Sequence, residues 1–280
     1  MILSKKAKEI SPSVTLAITA KAKEMMKEGK DVISFGVGEP DFNTPKNIQD
    51  AAIKAIQSGL TRYTAASGIP ELKQAIVEKF KKDNNLDYNT DNIIISTGAK
   101  QCLDNVFKAI LNPGDEVLVP IPYWVSYPEL IKMSDGIPVF VENRAEDNYK
   151  YTVESLEKFV TSKTKALILN SPNNPTGSIY SKEELGKIAE FAKKHNLIII
   201  SDEVYEKLIY GDNKHISIAS LSEDSFKRTI VINGVSKAYA MTGWRIGYAA
   251  GDKEIIKLMS SVQSHTTSNP NSIAQYAALE

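Results

Sequence analysis

The 280 residues carry 34 basic and 34 acidic side chains, 42% hydrophobic residues and one cysteine, Cys102. That is the composition of a soluble chain long enough for one large core and part of a second. A formal net charge of zero argues against a nucleic-acid or anionic-membrane partner held by bulk electrostatics.

Cys102 has no partner for an intramolecular disulfide, and its place in an apolar helical stretch points to packing. The N-terminus lacks the apolar core of a signal peptide, and no apolar run is long enough to span a bilayer. His195, His215 and His265 show no metal-ligand spacing, so no metal site is expected. The default reading is a cytoplasmic enzyme.

In chain order, residues 4–30 mix helix formers with Leu16, Ile18, Ala20 and Met25 at helical spacing, and Gly29 is placed to stop that helix. Residues 32–35 read as a short strand. It enters Gly36-Val37-Gly38-Glu39-Pro40-Asp41-Phe42, an irregular loop whose backbone another group can approach closely. Helices are expected over 45–58 and 70–82, the second with Leu72, Ile76 and Phe80 on one face.

From there strand and helix alternate, the signature of an α/β sheet of mainly parallel strands. Strands are expected at 93–96, 116–119, 137–141, 166–170, 197–201, 229–233 and 246–250. Helices are expected at 101–111, through Leu130, around 155–160, from a capping box at Ser181 and Glu184 to Lys194, and from about 253 and 272. The chain ends in mid-helix without a cap, as a truncated chain would.

The polar candidates share one placement: each lies beside a strand end on one rim of the sheet, where open α/β sheets bind ligands. Lys237 lies in a small-residue loop between two buried strands. There desolvation can lower an amine's pKa and make it nucleophilic toward a carbonyl, although a solvated surface lysine is the commoner fate. Arg245 supplies a permanent charge suited to a phosphate. The turn Ser96-Thr97-Gly98-Ala99-Lys100 offers helix N-terminal amides to the same kind of group, as many strand–helix turns do. Trp124 is a flat ring able to stack on a pyridine or to fill the core. Asn174 precedes a proline in a sharp turn and can donate to a phenolate oxygen. Asp202 ends a strand, where it either pairs with a cation, caps a helix or is solvated. Tyr205 can donate to the same phenolate as Asn174.

In combination, Gly38-Glu39-Pro40-Asp41-Phe42, Asn173 to Gly177, Ser201 to Tyr205 and Ser236 to Gly247 resemble the aspartate aminotransferase family, the prokaryotic-type subgroup of class I pyridoxal-phosphate aminotransferases. The resemblance runs from about Ile10 to the last residue. It implies a three-layer α/β/α sandwich, the large domain of fold type I, over residues 46–280. Residues 1–45 would form an N-terminal arm and part of a small domain whose C-terminal portion is absent.

The resemblance also implies site roles. Lys237 forms the internal aldimine with pyridoxal 5′-phosphate and shuttles the proton. Asp202 pairs with the pyridine nitrogen, Asn174 and Tyr205 bind the ring oxygen, and Trp124 stacks on the ring. The amides of Gly98, Ala99 and Lys100 bind the phosphate with Arg245. Ser236 stands in for a serine that relatives carry at the Gly234 position. Gly38, Trp124 and Asn174 border the substrate. Tyr63 reaches the neighbouring subunit's phosphate, so a homodimer with shared active sites is expected, acting on amino-acid and 2-oxo-acid substrates without nucleic acid or membrane.

The activity so implied is ping-pong amino transfer from L-aspartate to 2-oxoglutarate. Two alternatives stand beside it. One is another pyridoxal-phosphate reaction on the same scaffold, a β-lyase, a cyclase, or an aromatic or alanine aminotransferase. The other is a cofactor-binding fragment with little turnover. An α/β nucleotide binder is disfavoured, because neither a Gly-x-Gly-x-x-Gly turn nor a Walker lysine pattern is present.

Overall fold

Runs of β-branched residues without polar alternation suit strands covered on both faces. In the computed structural model, which describes residues 2–36 and 38–280, seven of them form one sheet. The strands are β1 (Ile93–Ser96), β2 (Glu116–Ile121), β3 (Ile137–Glu142), β4 (Thr164–Asn170), β5 (Ile198–Asp202), β6 (Thr229–Gly234) and β7 (Gly247–Ala250). Their order is β1-β7-β6-β5-β4-β2-β3. β7 runs antiparallel to both its neighbours, and every other pairing is parallel. All strands but β7 therefore end on the same rim, the rim at which β7 begins.

Alternation across the pleat divides the core into layers. Ile94, Val117, Val119, Ile168, Ile200, Ile230 and Ile232 face one way. They pack on the helix Ala99–Ile110 through Cys102, Leu103, Val106 and Phe107, with Ile256 and Met259 of the helix Lys253–Thr266 beside them. Leu118, Leu167, Leu169 and Ile199 face the other way, onto Leu185, Ile188 and Phe191 of the helix Lys182–Lys194. Further along that second face Ile93, Ile95, Val231 and Tyr248 meet Leu72, Ile76 and Phe80 of the helix Pro70–Asn84. The fold is thus a three-layer α/β/α sandwich around a mostly parallel sheet. Burying each such Ile or Leu contributes about 1.5–3 kcal/mol. No described helix is long and apolar enough to cross a membrane.

Most expected elements form within a few residues of their expected bounds, and the Ser181/Glu184 capping box is present in full. Three expectations change. The first helix is two, Lys5–Glu9 and Val14–Lys27, with Ser11-Pro12 between them, because proline cannot donate to a continuing helix. Its apolar residues are not core residues: Leu16 is 69% and Ile18 54% exposed, and no described residue before Ile48 is buried. Residues 32–35 form no strand, because they lie along neither edge of the sheet, and Phe35 is 94% exposed. Val37 of the glycine loop, like Met1, lies outside the described residues.

Candidate active site

The rim where the parallel strands end holds a cavity of about 180 Å³. Its walls come from five separate strand ends. Ala99 and Lys100 follow β1, Trp124 and Tyr127 follow β2, and Asn170 and Asn174 follow from β4. Asp202 and Tyr205 follow from β5, and Ser236 and Lys237 from β6, while Arg245 stands just before β7. A more open groove of about 740 Å³, bordered by Glu39, Pro40 and Phe42, shares Thr242 and Arg245 with it.

Asp202 lies at the cavity floor, 4% exposed. Its Oδ2 accepts a 2.7 Å hydrogen bond from the Tyr127 hydroxyl, and its Oδ1 a 3.3 Å bond from the Val204 amide. Burial pushes this carboxyl up to about 6. The two hydrogen bonds pull the other way, and the neighbouring charge of Glu203 adds to the rise. Such a carboxylate calls for a cation that the cavity itself does not place against it.

Lys237 sits in the helix Val235–Ala238 directly after β6, half-buried, and donates to the Gly38 carbonyl. Desolvation lowers its pKa; the Glu39 charge raises it and the Arg245 charge lowers it further. Lys237 Nζ also stands 5.8 Å from the centre of the Tyr205 ring. The Asn174 side chain donates to the Tyr205 hydroxyl at 3.4 Å, so these two groups converge on one point. Asn170 locks that corner: its Oδ1 accepts from the Asn174 amide at 2.7 Å, and its Nδ2 donates to the Asp202 carbonyl at 2.9 Å.

Arg245 adopts a left-handed backbone, φ 58°, a conformation non-glycine residues hold only when their surroundings fix it. One guanidinium nitrogen donates to the Thr242 carbonyl at 2.8 Å. The guanidinium lies against Gly98, where an added Cβ would overlap it, and Gly98 itself has φ 83°. The Gly98 amide already donates to the Ser96 carbonyl at 2.8 Å. Ala99 and Lys100 open the following helix, whose dipole favours an anion there. Lys100 stands over Trp124, 5.0 Å from the ring centre. At Gly234 an added Cβ would press at 3.1 Å on Gly247 Cα and the Ile246 carbonyl, so a serine there would crowd β7.

Of the residues expected from sequence, Ala99, Lys100, Trp124, Asn174, Asp202, Tyr205, Ser236, Lys237 and Arg245 line this one cavity, with Gly98 and Gly38 touching Arg245 and Lys237. Tyr63 does not join them; it is 91% exposed. Sequence reading missed Tyr127 and Asn170. Asn170 was legible as a polar residue ending an apolar strand, whereas Tyr127 carried no local signal.

The donor set suits pyridoxal phosphate: a buried acid for a pyridinium, an amine for an aldehyde, and Arg245 with helix amides for a phosphate. Among the described residues no carboxylate lies within salt-bridge distance of Lys100, Lys237 or Arg245. A group of Glu203, Glu206 and His215 also lies close together. Its acceptors are taken by Ser201, Ser217, Asn84 and Lys79.

Comparison with known proteins gives one consistent result. The family model for aminotransferase class I and II matches residues 30–280. An aspartate aminotransferase from Bacillus sp. (strain YM-2) is 57% identical over 279 residues, covering 100% of this chain and 71% of that protein. A probable aspartate/prephenate aminotransferase of Rickettsia conorii is 52% identical, covering 100% of this chain and 70% of its own length. Among solved structures, the aspartate aminotransferase from Thermus thermophilus with maleate superposes with a TM-score of 0.96 at 45% identity, over 100% of this chain and 72% of that one.

Proposed function

The chain belongs to the class I and II aminotransferases, and on that premise we propose that it transfers the amino group of L-aspartate to 2-oxoglutarate through pyridoxal phosphate held in the rim cavity. The observation that carries this reading is the convergence of Lys237, Asp202 and Arg245, from three strand ends, on one cavity.

When bound, pyridoxal phosphate supplies an aldehyde for amino groups and a ring that draws electrons from the carbon bearing the nitrogen. Each residue then has a task. Arg245 and the amides of Ala99 and Lys100 neutralise the phosphate, with Ser236 beside them. Gly98 serves by leaving room for the guanidinium. Asp202 would pair with the ring nitrogen and favour its protonated form, an opposite charge that the buried carboxylate otherwise lacks. Asn174 and Tyr205 would donate to the ring oxygen, and Trp124 would cover the ring and exclude water. The Lys237 amine, its pKa lowered, takes the proton from the substrate's α-carbon and returns it one atom away. Gly38 borders the substrate through its backbone.

Two features support an acidic substrate. Lys100 adds a cation at the cavity mouth beyond those the phosphate and the chemistry use. The Thermus thermophilus relative was solved with maleate, a dicarboxylate of aspartate's length. A homodimer with shared sites belongs to the same reading: Tyr63 and Phe42, 91% and 77% exposed, are then partner-facing. So does the division at residue 45, since burial begins only at Ile48. The compartment proposed is the cytoplasm, on composition and the single unpaired cysteine.

Mixing the chain with pyridoxal phosphate should produce a visible absorption band, and borohydride should fix the cofactor on Lys237. Aspartate should then bleach the band, releasing oxaloacetate, faster than alanine bleaches it with release of pyruvate. A Lys100→Met variant should lose that preference. A band that ignores every amino acid would reduce the reading to cofactor binding, and absence of a band would remove it.

A further inference from the structure

We infer that the buried Glu203–His215 pair is a brace that fixes the bearing of Asp202 and Tyr205, making both its members positioning residues for the reaction. The inference rests on the reading of the rim cavity as a pyridoxal-phosphate site and adds to it residues that do not line that cavity.

Asp202 is the last residue of β5, and Tyr205 lies in the turn that follows it. Glu203, between them, does not line the cavity and is 1% exposed. Its Oε1 accepts from the Ser201 hydroxyl at 2.8 Å and from Ser217 at 2.7 Å, and its Oε2 from His215 Nε2 at 2.8 Å. The Glu203 amide donates to the Ile232 carbonyl of β6 at 2.8 Å, and the Glu206 amide to the Glu203 carbonyl at 2.9 Å. Glu206 is tied in turn to Lys79 and, at 2.9 Å, to Asn84, both on the helix Pro70–Asn84. The turn is therefore pegged at three points, to β6, to that helix, and to residues 215–217 beyond an exposed loop in which Tyr210 is 84% exposed.

The charges show what kind of device this is. Glu203 and Glu206 are both buried, and a buried carboxylate persists only where partners compensate it. Lys79 pairs with Glu206, and His215 Nε2 donates to Glu203. The groups facing His215 are Glu203, Glu206 and Lys79; burial alone would strip its proton, but the two carboxylates outweigh burial and Lys79. Glu203 answers in kind: burial alone would raise its carboxyl, and His215 with the two serines holds it below the usual range. The three potential metal ligands lie within 4.8 Å of one another. The acceptors of both carboxylates are occupied and the ammonium of Lys79 is bound, while the buried His215 Nδ1 has no hydrogen-bond partner among the described residues. Removing His215 takes from the Glu203 carboxylate its strongest compensating partner, one residue from Asp202.

The test uses the chain with pyridoxal phosphate added and two readouts: the dissociation constant for the cofactor, and the pH midpoint at which the visible band of the bound cofactor changes. Glu203→Ala should weaken binding by about tenfold or more, as small misplacements near reacting groups do, and should move the midpoint by roughly half a unit or more. Glu203→Gln keeps an acceptor for both serines and should restore most of the binding. His215→Ala should act in the same direction as Glu203→Ala and decides the question where Glu203→Ala does not fold. Variants that melt earlier yet bind cofactor with unchanged affinity and midpoint would overturn the brace and leave a purely structural pair. A wild-type chain that gives no visible band would overturn the cavity reading, and the brace with it; a wild-type band with unmoved variants overturns the brace alone.

Discussion

Tyr127 donates a 2.7 Å hydrogen bond to Asp202 Oδ2 at a place where the tyrosine is 1% and the aspartate 4% exposed. The two residues are 75 positions apart in sequence, and they meet because Tyr127, at the start of the helix after β2, and Asp202, at the end of β5, both line the rim cavity. A hydrogen bond to the charged form of a buried carboxyl favours that form. Tyr127 therefore keeps Asp202 ionised, and hence able to pair with a ring cation, to lower pH than burial alone would allow.

Tyr127→Phe tests this directly. Hydrogen bonds to charged groups are worth about 1.5–3 kcal/mol, so kcat/KM should fall by about one to two orders of magnitude. Loss of the donor raises the Asp202 carboxyl further, so the acid limb of cofactor affinity should move to higher pH. A steady-state pH profile measures both effects. A profile that does not move would show that Tyr127 serves packing alone.

Asp202 itself should trade stability for function. Its folded carboxyl, raised from 3.8 to about 6, holds its proton to higher pH than the unfolded chain does. Folding therefore takes up a proton between about pH 4 and 6. Stability of the cofactor-free chain should fall as pH rises through that window, by about 2–3 kcal/mol, and level off above it. Asp202→Asn keeps an oxygen to accept from the Val204 amide and places an N–H that can donate to the Tyr127 hydroxyl, but it cannot ionise. Denaturant titrations of the cofactor-free protein should show the variant more stable than wild type at pH 7.5 and flatter across the window. Added pyridoxal phosphate should reverse that order.

What was legible in the sequence follows from how local each signal is. Lys237, Asp202, Asn174 and Trp124 could be placed because each follows an apolar run, and a run of that kind in an α/β alternation ends at the ligand-binding rim. Tyr127 could not, since its neighbours read as an ordinary helix and its partner arrives from another strand. The stretch at residues 32–35 has strand composition but no neighbour along either sheet edge, and composition cannot report a missing partner. The unusual φ of Arg245 is equally invisible, because tertiary contacts impose it against the residue's own preference.

Gly98 and Arg245 form a second testable pair. Gly98→Ala places a methyl group where the guanidinium lies and does so at φ 83°, a conformation that only glycine adopts cheaply. The variant should lose about 1–2 kcal/mol of stability from backbone strain, and Arg245 should be driven from its place. Affinity for pyridoxal phosphate should fall at least about tenfold, the worth of one charge-assisted contact. Affinity for pyridoxal, which lacks the phosphate, should change little. Equal losses for the two compounds would mean that the glycine shapes the ring pocket and not the phosphate site.

The Lys237 amine is lowered first by burial; Glu39 opposes the shift and Arg245 deepens it. Those two charges should act on its reactivity in opposite senses. Arg245→Met removes a like charge, so the amine should titrate higher and, at pH 8 in cofactor-free protein, react more slowly with an amine-directed reagent. Glu39→Gln removes an opposite charge and should speed the same reaction. Each change should be of the order of a few-fold at low ionic strength and shrink as salt screens the exposed partners. Mass spectrometry of the Lys237 peptide over a pH series measures the rates. Shifts of the same sign in both variants would show that they act by altering burial of the amine and not through their charges.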